Sequence, residues 1–415
     1  MFPPEKHTER LLIMTFYEFG CRAFQVSANA LMPLLDWKEP KVLRGAGSIG
    51  ELPGVIKSLG LRRVLLVTDL GLRALGLPDG LLRGLEREGV ACAVYDRTEA
   101  NPTVENIEEA YALYKEEGCE GIIGFGGGSP MDCAKGVGAR AARPRRSIPQ
   151  LRGQIKVLRR LPPLFAVSTT AGTGSEATVT CVVKDPATGE KYAINDPLLR
   201  PKYAVLDPVL TVGLPPALTA QTGMDALVHA VEAFIGRSRT KWTDEKALEA
   251  VRLIFGSLEK AYADGGDLQA REAMLEASYL AGVAFSRAYV GYVHGIAHNL
   301  GGLYGVPHGL ANAVIMPYIL EWYGPAAHAR LARLAEAAKL CRAGQSDAEK
   351  AEAFIQALRD MNKRLNIPEG FGCIREEDVP LLAKRAVRES NPLYPVPKIM
   401  RRAECEKVIR GLMNS

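Results

Sequence analysis

The 415-residue chain lacks the features that mark membrane, secreted and nucleic-acid-binding proteins. It contains no run of about 18 apolar residues, so no membrane partner is expected. Its eight cysteines are scattered without a C-x-x-C pair, which favours reduced thiols in the cytoplasm over a disulfide scaffold. The net charge of +5 is too small to indicate a nucleic-acid partner. Charges at Glu5, Lys6, Glu9 and Arg10 interrupt the first apolar residues, so no secretory signal is predicted.

Histidine is also scarce, but its distribution is uneven. Of six histidines, four fall within residues 223–312 together with an aspartate: Asp225, His229, His294, His298 and His308. Asp225 precedes His229 by four residues in a helix-forming run, so both side chains are predicted on one helix face. His294 and His298 repeat the spacing, and His308 follows a Gly/Pro turn. One carboxylate and several imidazoles suit a divalent first-row metal; the alternative for each pair alone is an ordinary helix-surface contact.

The length is sufficient for two domains with full-sized cores, and 47% apolar with 24% charged residues is ordinary for a globular protein. Residues 1–208 are predicted to form an α/β dinucleotide-binding domain, with a lead-in segment at 1–40. Residues 209–415 are predicted to form a helical metal-binding domain. In the lead-in segment, Phe16, Tyr17, Phe19 and Phe24 are expected to pack on the body of the protein.

The first half alternates short apolar runs with stretches of helical periodicity. The predicted strands are at residues 63–68, 91–95, 121–125 and 164–168, with a short strand and turn at 41–47 and a closing segment at 204–207; the helical stretches are at 48–59, 81–88 and 104–117. Continuous apolar runs are typical of strands buried in a parallel sheet. Their alternation with helices predicts a doubly wound α/β domain.

A glycine-rich segment follows one of these predicted strands. Gly126, Gly127, Gly128 and Ser129 join it to a helix predicted to begin near Pro130. Glycine lets backbone N–H groups approach a phosphate, and a helix N-terminus favours negative charge. The alternative is a purely structural turn, because the pattern is not G-x-G-x-x-G and no acidic partner follows about 20 residues later.

Two other features stand at predicted strand ends. Asp69 follows the run at 63–68, so it is predicted to reach the ribose hydroxyls at the same sheet edge, unless it is only a turn or cap residue. Thr169-Thr-Ala-Gly-Thr-Gly-Ser-Glu176 follows the run at 164–168. Its hydroxyls suit a nucleotide, and a Ser/Thr-rich helix cap is the alternative.

Residues 135–160 hold nine Lys or Arg and no Asp or Glu. This stretch is interpreted as a solvated surface that faces another subunit or attracts an anionic cofactor. Beyond Pro208 the sequence becomes amphipathic and helical, with long helices predicted at 244–263, 268–290, 328–341, 348–365 and 377–388.

Taken together, these motifs resemble the iron-containing (group III) alcohol dehydrogenases. The motifs stand in family order: Gly126-Gly-Gly-Ser with Asp132, Thr169 to Glu176, Gly223-Met-Asp-Ala with His229, and His294 through Pro307-His-Gly309. The resemblance runs from about Lys41 to the last helices. It implies the dehydroquinate synthase-like architecture, with an α/β N-terminal Rossmann-like nucleotide-binding domain, an all-α C-terminal domain and the active site between them. The lead-in and the basic stretch fit only some members.

The resemblance also implies roles for individual residues. Its metal ligands fall on Asp225, His229, His294 and His308, whereas His298 matches a histidine near the nicotinamide that is not a ligand. His298 is the candidate catalytic residue, relaying the substrate proton. The positions expected to bind the cofactor are Asp69, Asn101, Gly127, Gly128, Ser129, Asp132, Thr169, Thr170, Thr173, Lys191 and Leu210. The carboxylate of Asp69 favours NAD over NADP.

The expected activity is NAD(H)-dependent interconversion of alcohols and aldehydes or ketones, with the substrate oxygen held by the metal. The expected metal is Fe(II), with Zn(II) or another divalent ion as the alternative. Rival hypotheses are a glycerol or diol dehydrogenase or a dehydroquinate synthase relative, a metallohydrolase, and a non-catalytic nucleotide sensor. The expected partner is a small alcohol or aldehyde, and the expected assembly is a homodimer or higher homo-oligomer in the cytoplasm.

Overall fold

The computed structural model describes residues 16–35, 37–187 and 190–413. Within these ranges the chain forms a parallel-sheet domain followed by a helical domain, which confirms the predicted fold class. The predicted absence of a secretory signal rests on Glu5, Lys6, Glu9 and Arg10, which lie outside the described residues. The first 15 residues of the lead-in segment also lie outside them.

A six-stranded parallel sheet forms the centre of the first domain, in the order β1-β9-β6-β4-β2-β3. Its strands are β1 (Lys41–Arg44), β2 (Arg63–Val67), β3 (Ala91–Tyr95), β4 (Gly121–Gly126), β6 (Leu164–Ser168) and β9 (Tyr203–Leu206). Leu65 and Val67 belong to one apolar cluster and Val64 and Leu66 to another, because alternate side chains point to opposite faces. Both faces are therefore covered, as the continuous apolar runs predict.

Helices cover the two faces of this sheet. They are α2 (Leu52–Ser58), α3 (Leu70–Ala74), α4 (Asp79–Arg87), α5 (Val104–Glu116), α6 (Gly128–Ala142) and α7 (Ile148–Leu151). Helix α6 begins two residues before the predicted start at Pro130, because extended Gly127 forms its N-cap and Pro130 fits the first turn. The helix therefore begins inside the glycine segment.

A second, three-stranded sheet was not predicted. It contains β5 (Gly153–Gln154), β7 (Thr180–Asp185) and β8 (Glu190–Asn195), in the order β5-β8-β7. Strands β7 and β8 pair antiparallel, with Lys184 opposite Lys191. Their polar residues alternate with buried ones, so they lack the continuous apolar character that identified the central strands. This small sheet carries Lys191.

The second domain consists of helices from α8 onward. They are α8 (Pro216–Ile235), α9 (Lys241–Ala263), α10 (Leu268–Ala288), α11 (Tyr292–Tyr304), α12 (His308–Tyr323), α13 (His328–Ala337), α14 (Asp347–Arg364), α15 (Val379–Ser390) and α16 (Arg402–Gly411). Helix α8 is buried on all sides from Gly223 to Ile235, so it is the central helix of this domain. The five predicted long helices are confirmed, with ends that differ by up to four residues. None of the helices in the described part of the chain is long and apolar enough to cross a membrane.

Helix α1 (Phe16–Leu31) packs against the C-terminal part of the chain through polar contacts. Arg22 donates to the carbonyl oxygens of Val396 and Pro397 at 2.7 and 2.8 Å, and Gln25 donates to that of Tyr394 at 2.8 Å. The expectation that the aromatic residues of the lead-in pack on the body is wrong for Phe16, Phe19 and Phe24, whereas the half-exposed Tyr17 forms a side-chain hydrogen bond with Asn391. Phe16, Tyr17, Phe19 and Phe24 are 93%, 48%, 58% and 45% exposed, because the helix contacts the body through the face of Cys21 and Gln25 instead.

Candidate active site

Three helices bring the four predicted metal ligands together. Helix α8 carries Asp225 and His229, α11 carries His294, and His308 begins α12 after the Gly/Pro turn. One ligand atom from each residue lies within 4.8 Å of the others. The Oδ1 atom of Asp225 is 3.8 Å from Nε2 of His294 and 3.5 Å from Nε2 of His308. Ligands about 2.0–2.2 Å from one tetrahedral ion stand roughly 3.3–3.6 Å apart, so the Asp225–His308 pair already has this spacing and the wider pairs would close slightly around a single metal.

The three imidazoles are held neutral by their surroundings. Burial, reinforced by the neighbouring histidines, lowers the pKa of His294 far below its ordinary value. Burial lowers the pKa of His308 to about 3, although Asp225 raises it in part. Burial also lowers the pKa of His229. Unprotonated nitrogens are therefore available to a cation at neutral pH.

Glu232 contacts Nδ1 of His294, on the side of the ring away from the cluster, and thereby orients it. This residue was not identified from the sequence. Its Oε2 atom is 2.7 Å from Nδ1 of His294 and accepts a hydrogen bond from the Gly291 N–H at 2.7 Å. Its Oε1 atom accepts from the Val293 N–H at 2.8 Å. Burial raises the pKa of Glu232 to about 8, against the lowering effect of these donors; a cation bound nearby would favour its ionised form. Its spacing of three residues from His229 on one helix could have identified it.

Asn312 was also missed, although it lies one turn after His308 on α12. Its Nδ2 atom donates to Oδ1 of Asp225 at 2.6 Å and lies 3.2 Å from Nε2 of both His294 and His308. The side chain is fully buried. Asn312 therefore contacts three of the four predicted ligand residues.

His298 lies beside this cluster and outside the group of four. Its ring stacks on that of His308 at 5.2 Å with an interplanar angle of 13°. Its Nδ1 atom is 2.6 Å from Oε1 of Glu389 on α15. The side chain is 27% exposed, so it borders both the buried cluster and the open side of the site.

The predicted phosphate-binding residues form a glycine cradle, which consists of Gly126–Ser129 and the facing Thr170 and Thr173. A Cβ at Gly127 would come within 3.2 Å of Thr170, and one at Gly128 within 3.0 Å of Thr173. The Asn101 N–H donates to Oγ of Ser129 at 3.1 Å. The Thr169 N–H donates to the Gly126 carbonyl oxygen at 3.0 Å.

The N-terminus of α6 opens at this cradle. Gly127 provides no side-chain cap to the 15-residue helix, so its first N–H groups remain available to a ligand. The hydroxyl of Thr170 is buried and has no hydrogen-bond partner among residues 16–35, 37–187 and 190–413. Free amides, a helix dipole and absent side chains fit the pyrophosphate of a dinucleotide.

Asp132 and Lys135 form a buried network beneath the cradle. Asp132 accepts from the Ser175 hydroxyl at 2.8 Å and from the Val182 N–H at 3.0 Å. Lys135 is fully buried and donates at 2.8 Å to Ser175, Thr178 and the Thr180 carbonyl. The interpretation of residues 135–160 as a solvated surface is therefore wrong at Lys135, whose pKa burial lowers while Asp132 opposes the shift. Asp132 joins the cradle to the small sheet.

The remaining predicted residues lie at the edges of this region. Asp69 caps α3, with Oδ1 accepting from the Leu72 N–H at 2.9 Å. Leu210 is in a 3₁₀ turn and packs in an apolar cluster of the central sheet. Burial lowers the pKa of Lys191 on β8, and the charges of Asp132, Glu389 and Asp225 oppose this shift in that order.

A single loop connects the cradle to the metal helices. Residues 169–176 leave β6 at the cradle, and the Gly172 backbone contacts the His229 imidazole. The Gly174 N–H donates to Oγ of Ser278 on α10 at 3.2 Å. A Cβ at Gly174 would lie 2.6 Å from Cα of Gly282. The two groups of predicted site residues are therefore joined by this one loop, where the two domains meet.

Two family models cover the chain almost completely. Residues 39–208 match the model described as iron-containing alcohol dehydrogenase. Residues 219–413 match the model of the C-terminal part of the Fe-containing alcohol dehydrogenase family. The two matches follow one another in the order of the two domains.

Individual relatives agree with the family models. The chain is 40% identical over 363 residues to the 1,3-propanediol dehydrogenase of Klebsiella pneumoniae, across 86% of this chain and 94% of that protein. It is 38% identical over 359 residues to the NAD-dependent methanol dehydrogenase of Bacillus methanolicus, across 85% and 94%. The crystal structure of a 1,3-propanediol oxidoreductase superposes with a TM-score of 0.88 at 38% identity, covering 91% of this chain and 99% of that one. The chain belongs to the iron-containing alcohol dehydrogenase family.

Proposed function

We propose that the protein is an NAD(H)- and iron-dependent alcohol dehydrogenase that interconverts alcohols with aldehydes or ketones. The observation that carries this proposal is the connection of four metal-ligand side chains to a glycine cradle through the single loop of residues 169–176. A metallohydrolase would use the metal cluster but not the cradle, and a nucleotide sensor the cradle but not the cluster. Family membership supports the dehydrogenase over both.

The metal ligands in this proposal are Asp225, His229, His294 and His308. Fe(II) is the proposed ion because the matching family is described as iron-containing. The four ligands offer only oxygen and nitrogen atoms. Such a set also binds Zn(II), since affinity alone does not distinguish Fe(II) from Zn(II).

The proposed cofactor is NAD, and the methanol dehydrogenase relative is NAD-dependent by its name. The proposed contacts are the cofactor-binding positions of the sequence analysis: Asp69, Asn101, Gly127, Gly128, Ser129, Asp132, Thr169, Thr170, Thr173, Lys191 and Leu210. The carboxylate of Asp69 disfavours the 2′-phosphate of NADP by charge repulsion. Asp132 contributes by holding Ser175 and β7 in place.

When bound, the metal polarises the substrate oxygen as a Lewis acid and NAD accepts the hydride, so that alcohol and NAD⁺ yield carbonyl compound, NADH and one proton. The residues of the chain orient these partners and move the proton. The cradle positions the dinucleotide along the cleft. We propose that His298 accepts the proton of the substrate hydroxyl and relays it, because its ring borders the cluster and is partly exposed.

A diol is the second candidate substrate. Both the Klebsiella pneumoniae relative and the superposed oxidoreductase carry 1,3-propanediol in their names. Glu389 contacts His298 beside the cluster. Burial lowers the pKa of Lys191 and the charges of Glu389 and Asp225 both oppose this shift, so a second polar group of the substrate would meet charged side chains here. We therefore include short diols with monohydric alcohols in the proposed substrate class.

The proposal extends to organisation and location. We place the boundary between the nucleotide-binding and metal-binding domains at residues 208 and 209, between β9 and α8. We infer a cytoplasmic enzyme, supported by eight free cysteines. We also infer a homodimer or larger homo-oligomer, for which the exposed Phe16, Phe19 and Val26 of α1 offer apolar contact area.

The test is an activity panel on purified protein depleted of metal and reloaded anaerobically with Fe(II) or Zn(II). Short alcohols and 1,3-propanediol are supplied with NAD or NADP, and NADH or NADPH absorbance is followed. We expect turnover that requires metal and prefers NAD. Equal rates with and without metal, or no reduced cofactor with any substrate and metal, would refute the proposal.

A further inference from the structure

The last turn of α15 places a carboxylate against His298. Oε1 of Glu389 is 2.6 Å from Nδ1 of His298 and accepts a hydrogen bond from the Tyr394 hydroxyl at 3.1 Å. Oε2 accepts from the Asn299 amide at 3.3 Å. Three side chains from two segments thus fix the carboxylate, and none of them is a metal ligand of the proposed set.

This contact decides which ring nitrogen of His298 carries the hydrogen. A neutral imidazole has one donor and one acceptor nitrogen, and an ionised carboxylate only accepts. The 2.6 Å contact therefore requires hydrogen on Nδ1, which leaves the lone pair on Nε2. A histidine without such a partner distributes between both tautomers.

The position of the ring is fixed at the same time. Stacking on His308 at 5.2 Å and an edge contact with His294 at 5.8 Å hold its plane. The Glu389 contact also prevents a 180° rotation of the ring about its Cβ–Cγ bond, since that rotation would place a ring carbon against the carboxylate instead of Nδ1. Orientation and tautomer are thus set by one residue.

We propose that Glu389 is a positioning residue for alcohol oxidation: it presents Nε2 of His298 as the atom that accepts the substrate proton. This inference rests on the proposed function and on the assignment of the proton to His298. The step is a proton transfer from the substrate hydroxyl to Nε2, while the hydride and its electron pair leave the same substrate for NAD⁺. The arrangement is the carboxylate–imidazole pairing by which enzymes orient a histidine base.

Two substitutions distinguish the effect of losing the hydrogen bond to His298 from the effect of changing the packing around Glu389. Glu389→Leu removes the acceptor, and we expect kcat to fall about 10- to 100-fold, because a misoriented base loses much of its catalytic effect. The KM for alcohol, the NADH dissociation constant and the metal content remain within about twofold, since the ligands and the cradle are untouched. Glu389→Gln keeps an oxygen acceptor and restores most of kcat. Glu352→Leu, at an exposed glutamate of α14, is the matched control and keeps the wild-type rate.

The tautomer is measured directly by ¹⁵N NMR of the histidine rings in the diamagnetic Zn(II)-loaded protein, with His298→Gln used for assignment. We expect hydrogen on Nδ1 of His298 in the wild type and a mixture of tautomers in Glu389→Leu. Hydrogen on Nε2 in the wild type would overturn the proposal without needing any Glu389 variant to fold. Unchanged kcat in a folded, metal-loaded Glu389→Leu enzyme would overturn it while leaving the dehydrogenase function intact. A wild-type protein without any alcohol-dependent NADH formation would instead refute the proposed function, and this inference with it.

Discussion

Glu232→Gln is predicted to weaken metal binding without unfolding the protein. Glu232 accepts three hydrogen bonds, from His294 Nδ1 at 2.7 Å, the Gly291 N–H at 2.7 Å and the Val293 N–H at 2.8 Å. Glutamine has one acceptor oxygen and one amide donor group, so at least one of these donors must face another donor. The glutamine oxygen can still accept from Nδ1 of His294, but the negative charge that raises the basicity of Nε2 toward the metal is lost.

The size of the effect follows from this loss. Mutating the carboxylate partner of a metal-ligating histidine weakens metal binding about 10- to 100-fold, which corresponds to roughly 1.4–2.8 kcal/mol. Glutamine has nearly the same volume as glutamate, so packing around this buried position is retained. We therefore expect a large change in metal affinity and a smaller change in unfolding.

The assay is chelator competition for Zn(II) at fixed pH, with circular dichroism to monitor the fold. Glu336→Gln is the control, because Glu336 is 53% exposed and pairs with Lys350 on the far helices α13 and α14. Its metal affinity should equal that of the wild type. A folded Glu232→Gln protein that binds Zn(II) within twofold of the wild type would refute the role assigned to Glu232.

Three further predictions concern the ligands and the close packing around them. His308→Ala should lose bound metal and nearly all turnover yet keep its NADH affinity, measured by metal analysis and fluorescence titration; retained metal would exclude His308 as a ligand. Gly309→Ala should destabilise the protein by about 1–3 kcal/mol, because its Cβ would lie 2.2 Å from the Gln221 carbonyl oxygen, whereas Gly302→Ala in open space should stabilise it by up to about 1 kcal/mol; urea unfolding compares the two. The pKa of His308 is lowered to about 3, so the unfolded chain binds the proton first, and this contribution to metal-free stability is present above about pH 6.5 and lost as pH falls toward 3. Thermal unfolding in chelator should show a weaker decline for His308→Leu over that range, and an equal decline would contradict the assignment.

The sequence identified the architecture because the patterns that mark it are local. Apolar runs such as 63–67 and 164–168 became central strands, and long amphipathic stretches became helices. The small sheet was not predicted because β7 and β8 are half-polar and pair with each other. The aromatic residues of α1 were misjudged because helical periodicity does not reveal which face meets the body; here Arg22 and Gln25 decide it by hydrogen bonds.

The candidate site was predictable to the extent that its residues share a motif. Asp225 and His229 share one helix, so their convergence follows from spacing. Glu232 and Asn312 stand at helical spacing from predicted ligands and were accessible to the same reasoning. Glu389 is separated from His298 by 91 residues, and no spacing rule connects them. The buried state of Lys135 was equally hidden, since its partners Ser175 and Thr178 come from a later loop.

The contact between Gly174 and Gly282 has a consequence for exchanging domains between related enzymes. Gly174 has a φ of +60°, and a Cβ on it would lie 2.6 Å from Cα of Gly282, so the two main chains touch with no side chain between them. The separation of the two domains at this point is thereby set by main-chain contact, which changes of side-chain rotamer do not alter. A chimera that joins this nucleotide-binding half to a foreign helical half therefore needs a glycine at the position of Gly282 to match Gly174, or the two domains will be held apart.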